Sequence, residues 1–276
     1  MLRICKCKES SSSGKCKLFR NTTFIEGIVK ILSTFVGILG ELYGHSAAPM
    51  GKITDENQQF THPENWQHAT MYFFFGISGI ADVISVVAKA IVPDGINRIF
   101  LGLAFYIEGY LFFFHLHGRS DIDYKVHILV VITVWTCALT CFLQCCLIAQ
   151  EQLLHVFEVI ESCLVISQGT WFWQVAYILY PPSGDSWDPC IHVSGHDGHL
   201  NEGQHRMQAT TCNSEGAVNS EFITIVYTWH LITAMCVVFF IESVVYCCEK
   251  TRMRTQHAPN LLSAKFTNCH YSAVPR

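Results

Sequence analysis

Six separate stretches of this chain are apolar enough to cross a bilayer, and most of them carry ionisable side chains. They lie at about Phe24–Tyr43, Trp66–Ile91, Ile96–Leu116, Val126–Ile148, Leu153–Tyr180 and Phe222–Cys248. Each holds the ~20 residues that a helix, rising ~1.5 Å per residue, needs to cross ~30 Å of hydrocarbon. Pro93, Pro181 and Pro182 stand where two of the runs stop, as expected of a residue that cannot continue a helix. None of the runs alternates with the period of two that a barrel strand requires. The sequence therefore predicts an all-α fold, a polytopic bundle of six spans with the lipid bilayer as its surroundings.

Composition points the same way. Only 14% of the residues are charged, where a soluble domain carries about a quarter, and the mean hydropathy is +0.29. The net charge of -4 is spread thinly. No basic stripe marks a nucleic-acid partner.

Charge distribution predicts the orientation. Residues 1–23 form a polar tail rich in Cys, Lys and Ser, with Arg3, Lys6, Lys8, Lys15, Lys17 and Arg20. It lacks the apolar core of a cleavable signal peptide, so the first span is read as an uncleaved anchor. The tail 249–276 carries Lys250, Arg252, Arg254, Lys265 and Arg276, while the two long inter-span segments hold only Lys52 and Arg206. The positive-inside rule then places both tails in the cytosol around the bundle 24–248. The loop 183–221, rich in Gly, Ser, Asn and His, is expected to be lumenal or extracellular and irregular.

The 14 cysteines divide by compartment. Cys190 and Cys212 fall in the outer loop, where they either form a disulfide or stay as two free thiols. Cys247 and Cys248 sit at the inner membrane edge, as plain thiols or as acylation sites. Cys137, Cys141, Cys145 and Cys146 in the fourth span read as small packing residues ahead of metal ligands. In the first span, Gly40-x-x-x-Gly44 is a pattern that permits close helix packing. Glu26 and Lys30 are spaced for an i,i+4 ion pair.

The polar side chains gather at one depth. Spans two, four and six run inward, and three and five run outward. His68 then starts the second span, and His115 ends the third. His127 starts the fourth. Glu108 and His230 each lie about 12 Å inside, and Gln174 about 9 Å. Glu108 and His115, seven residues apart, share a helix face, as do His68 and the deeper Asp82. Glu151, Glu158 and Glu161 line the opposite half of the fifth span, with Gln168 continuing the stripe.

Three readings of this layer stay open. The side chains can be interhelical glue. They can be proton relays in a proton-coupled carrier. Alternatively His68, Glu108, His115, His127 and His230 can bind a metal, with zinc suited to imidazole and carboxylate, as in a metal-dependent membrane hydrolase. Glu26, Asp82, Glu158, Gln168 and Gln174 are the further polar groups within the spans. The chain carries no Gly-x-Ser-x-Gly elbow, no phosphate-cradling Gly-Lys-Ser/Thr and no His-Glu-x-x-His helix. A non-enzymatic membrane protein is therefore the leading expectation.

Ordered blocks carry a resemblance. They are Asn65-Trp66-Gln67-His68-Ala69-Thr70-Met71-Tyr72-Phe73-Phe74-Phe75-Gly76, Glu108-Gly109, Phe114-His115-Leu116-His117-Gly118-Arg119, Val126-His127 and Gln168-Gly169-Thr170-Trp171-Phe172-Trp173-Gln174. Leu179-Tyr180-Pro181-Pro182-Ser183-Gly184 and Trp229-His230 follow, with Glu26-Gly27 and Gly40-Glu41 earlier in the chain. From about Phe24 to Cys248 the chain resembles the transmembrane protein 45 family, which includes the transmembrane epididymal proteins. The resemblance implies a multi-pass protein of the Golgi, another secretory membrane or the plasma membrane, with no settled activity. It also implies that Glu26, His68, Asp82, Glu108, His115, His127, Glu158, Gln168 and His230 are the family's polar membrane positions. Two departures stand out. The family pattern has seven spans, and its first helix is missing here. The segment from about Trp187 to Ser220 is longer than the family's linker.

Overall fold

The computed structural model describes the backbone of residues 13–43, 60, 63–114, 116, 120–182 and 215–269, and side chains within 22–43, 60, 63–114, 116, 120–182 and 221–251. Within those limits every element is an α-helix: α1 (Ser13–Tyr43), α2 (Pro63–Val87), α3 (Ile96–Phe114), α4 (Asp121–Cys146), α5 (Glu151–Leu179) and α6 (Glu215–Cys269). All six contain a segment long and apolar enough to cross a membrane, as the sequence predicts.

Two of the helices outrun their apolar segments, whereas α2 stops at Val87, short of the expected Ile91. α1 begins at Ser13 instead of Phe24, and α6 runs from Glu215 to Cys269 instead of Phe222 to Cys248. A helix once nucleated extends at one hydrogen bond per residue, and Lys, Arg, Leu and Ala favour it. The expected irregular loop 183–221 is thus helical from Glu215. Its remainder, with Cys190 and Cys212, lies outside the described residues.

Met1–Leu231 and Ile232–Arg276 form two compact units. In the first, α4 is the most enclosed helix. Val126, Val130, Val131, Val134, Cys137, Ala138 and Cys141 are buried along it. They join Met71 of α2, Phe105 and Phe112 of α3, Trp171 and Ile178 of α5, and Ile223 and Tyr227 of α6. Cys137 is packed as a small apolar residue, as read from the sequence, while Cys141, also buried, turns its Sγ to Glu161 Oε1. Large apolar side chains such as Val36, Phe73 and Trp173 point outward, which suits a lipid surround. In the second unit, Phe239, Phe240 and Tyr246 are exposed in the same way.

Local chemistry sets the helix ends. Ser120 caps α4, its Oγ accepting from the Asp123 amide at 3.3 Å. Asp121 and Asp123 place negative charge at the positive end of the helix dipole. Gly95, at φ 90°, turns the chain from α2 into α3 with a backbone conformation that a side chain would disfavour.

α1 and α2 lie together through small residues. A Cβ on Gly27 would come within 2.7 Å of the Gly79 carbonyl oxygen, and one on Gly79 within 2.8 Å of the Gly27 carbonyl oxygen. Backbone cannot yield as a flexible side chain can, so a larger residue at either position forces the helices apart. At Gly40 the described residues show no such contact. A Cβ there would meet none of them within 4 Å, and Gly44 lies outside the described residues.

Candidate functional site: two polar levels within the bundle

The polar side chains form two levels. The upper half is the end carrying Phe114, Ser120 and Leu179, and the lower half carries Ile96, Cys146 and Glu151. At the upper level, Glu108 of α3 is buried. The Nε2 of Gln168, on α5, donates to Glu108 Oε1 at 2.9 Å. One turn above, the Phe112 ring lies between His68 of α2 (centroids 6.3 Å), His127 of α4 (5.8 Å) and Phe172 of α5 (6.0 Å).

Each described histidine has its own partner. His68 Nδ1 is 3.3 Å from Glu41 Oε1 on α1. His127 Nδ1 is 2.8 Å from the Asp123 carbonyl oxygen and 2.7 Å from Asp123 Oδ1. His230 Nδ1 is 3.0 Å from Thr170 Oγ1, with its ring edge-on to Trp171. Trp171 in turn donates from Nε1 to the Val126 carbonyl oxygen at 3.1 Å. Glu108 and His230, expected at similar depth, thus bond to different residues of α5. Gln174 is half-buried higher on the same helix. His115 lies outside the described residues. Among the described residues, no group of three or more His, Cys, Asp or Glu side chains is placed to hold a metal ion.

The lower level is a charged network that joins three helices. Arg98 of α3 donates from Nη2 to Glu158 Oε1 of α5 at 2.6 Å. Its Nη1 donates to Gln144 Oε1 of α4. Gln144 Nε2 donates to Glu161 Oε2 at 2.5 Å, and Cys141 Sγ lies 3.3 Å from Glu161 Oε1. The planar guanidinium forks between two acceptors, which a lysine ammonium would do with less geometric definition. Glu158 and Glu161 were legible as a stripe on α5. Arg98 and Gln144 were not singled out, although two membrane carboxylates on one face call for a cation and a donor nearby.

A third set joins α1 to α2. Lys30 Nζ is 2.8 Å from both Glu26 Oε1 and Asp82 Oδ2. The shared face of His68 and Asp82 is real in this sense: both turn toward α1, to Glu41 and Lys30 respectively.

Comparison with known proteins places this geometry. Residues 94–243, which include the Glu108–Gln168 pair and the Arg98 network but not His68, match a family model described as "Family of unknown function (DUF716)". The chain is 26% identical to the rat protein named Transmembrane epididymal protein 1 over 213 residues, covering 75% of this chain and 60% of the relative. It is 28% identical to mouse Transmembrane epididymal protein 1A over 133 residues, covering 47% of this chain and 42% of that protein. Human Transmembrane epididymal protein 1 is 26% identical over 133 residues, 47% of this chain and 46% of the relative. The chain therefore spans less than two thirds of the length of these relatives. With the six apolar helices, these matches make it an integral multi-pass membrane protein.

Proposed function

This chain belongs to DUF716, a family of unknown function, and on that premise we propose that it works by helix packing and partner binding in a secretory-pathway membrane, not by catalysis. The observation that carries the reading is how the intramembrane charges are used. Lys30 and Asp82 pair across α1 and α2, and Arg98 and Glu158 pair across α3 and α5. Polar groups spent on one another hold helices together where lipid offers no hydrophobic drive. A transport path or a catalytic centre instead keeps such groups facing a water-filled space.

Elemental analysis of the purified full-length chain tests this. The expected result is no stoichiometric metal. One zinc per chain, lost when His68 and His127 are replaced by alanine, would overturn it in favour of a metal-dependent membrane hydrolase.

The Lys and Arg asymmetry supports a bundle with both tails in the cytosol and the 183–221 segment on the lumenal or extracellular side, where Cys190 and Cys212 can form a disulfide. The compartment we favour is the Golgi. Epitope tags at either end of the chain are expected to be digested by protease added to sealed, cytosol-side-out microsomes. Protection of either tag refutes the topology.

A further inference from the structure

The Glu108–Gln168 contact is incomplete in a specific way. One hydrogen bond joins the two side chains, from Gln168 Nε2 to Glu108 Oε1. Both remaining oxygens, Glu108 Oε2 and Gln168 Oε1, are buried and have no hydrogen-bond partner among the described residues. The residues are 5% and 7% exposed, so water at the surface does not satisfy them. An ionised carboxylate only accepts, and an amide oxygen only accepts. Buried polar atoms of this kind are rarely left alone, because the lost hydration is not returned.

A single hydrogen atom satisfies both. On Glu108 Oε2 it gives that oxygen an O–H to donate, and the unsatisfied acceptor on the residue already bonded to Glu108 is Gln168 Oε1. The carboxylic acid and the carboxamide then exchange two hydrogen bonds in one closed ring. We propose that Glu108 and Gln168 form a reciprocal acid–amide pair that holds one proton between α3 and α5. The inference stands apart from the partner-binding reading, since it needs only that α3 and α5 lie in the bilayer.

The surroundings favour a neutral species. Phe112 and Phe172, each four residues above a member of the pair, close its upper side with rings 6.0 Å apart. The titratable groups facing this region are Tyr72 and His68 of α2, Cys137 and His127 of α4, and Glu161 further down α5. Tyr227 and His230 of α6 pack on the Trp171 side of α5. His68 and His127 are engaged with Glu41 and Asp123, and Arg98 is committed to Glu158 and Gln144. When the proton leaves, the O–H bond breaks, its electron pair stays on Oε2, and two acceptors confront each other with a full charge in hydrocarbon. The α3–α5 contact must then open or admit a cation, which makes it a proton-sensitive joint.

Infrared difference spectroscopy on the full chain in lipid nanodiscs tests the pair. The wild type minus Glu108→Gln spectrum at neutral pH should contain a protonated-carboxyl carbonyl stretch that shifts in deuterium oxide. Glu108→Gln should fold normally, because an amide–amide pair keeps both hydrogen bonds. In Gln168→Leu the band should move to higher frequency as its hydrogen bonds are lost. Absence of the carboxyl band from the difference spectrum, or a band that Gln168→Leu leaves in place, overturns the proposal.

Discussion

Replacing Arg98 with leucine lowers the stability of the detergent-solubilised protein by about 2–4 kcal/mol, somewhat below the cost of removing one partner from a fully buried ion pair, because Arg98 and Glu158 are each 15% exposed. The guanidinium serves two acceptors on two helices, Glu158 Oε1 and Gln144 Oε1. The substitution leaves Gln144 Oε1, in a fully enclosed side chain, without its donor, and leaves Glu158 with only the longer His155 Nδ1 contact at 3.8 Å. Glu158 and Glu161 then share one face of α5 without the guanidinium between them, and their repulsion adds to the loss. Arg98→Lys should recover only part of the stability, since an ammonium cannot reproduce the fork. Reversible unfolding in mixed detergent micelles measures the three proteins. Equal stability of Arg98→Lys and wild type would show that charge alone, and not the fork, matters here.

The second large effect is expected at Lys30, and it is asymmetric. Asp82 is 4% exposed and pairs with Lys30, whereas Lys30 also has Glu26. Lys30→Met strands a buried carboxylate, at a cost of about 3–5 kcal/mol. Asp82→Leu leaves the ammonium with Glu26, so its cost should be clearly smaller. Combining the two should be milder than Lys30→Met alone, because two apolar side chains replace the buried pair and the one charge that loses its partner, Glu26, is exposed. The same unfolding measurement on a double-mutant cycle checks this. Additive losses would mean that the two side chains do not interact across α1 and α2.

The individual polar groups were legible before the fold; their partners were not. Helix periodicity put His68 and Asp82 on one face of α2, and both do point one way. Periodicity says nothing about which helix lies opposite, and that helix is α1, joined by Gly27 and Gly79. Depth counting put Glu108 and His230 at one level. Depth fixes only one coordinate of three, and rotation about α5 separates them: Gln168 meets Glu108 while Thr170, two residues on, meets His230. The same reasoning explains why Arg98 and Gln144 were passed over. Near a helix end or among cysteines each reads as an isolated polar residue, and only the convergence of α3, α4 and α5 makes them a network.

What the sequence determined by itself is the number and placement of the spans. Hydrocarbon offers backbone groups no hydrogen bonds, so each run of about 20 apolar residues has one way to cross, as a helix. That constraint is local and can be read one segment at a time. The tertiary structure alone decided which carboxylate meets which cation. Lipid is as apolar as leucine and does not choose among helix faces, so the arrangement is settled by close fits such as Gly27 against Gly79 and by interhelical polar bonds such as Arg98 to Glu158. Those contacts join residues more than 50 positions apart, beyond the reach of any pattern along the chain.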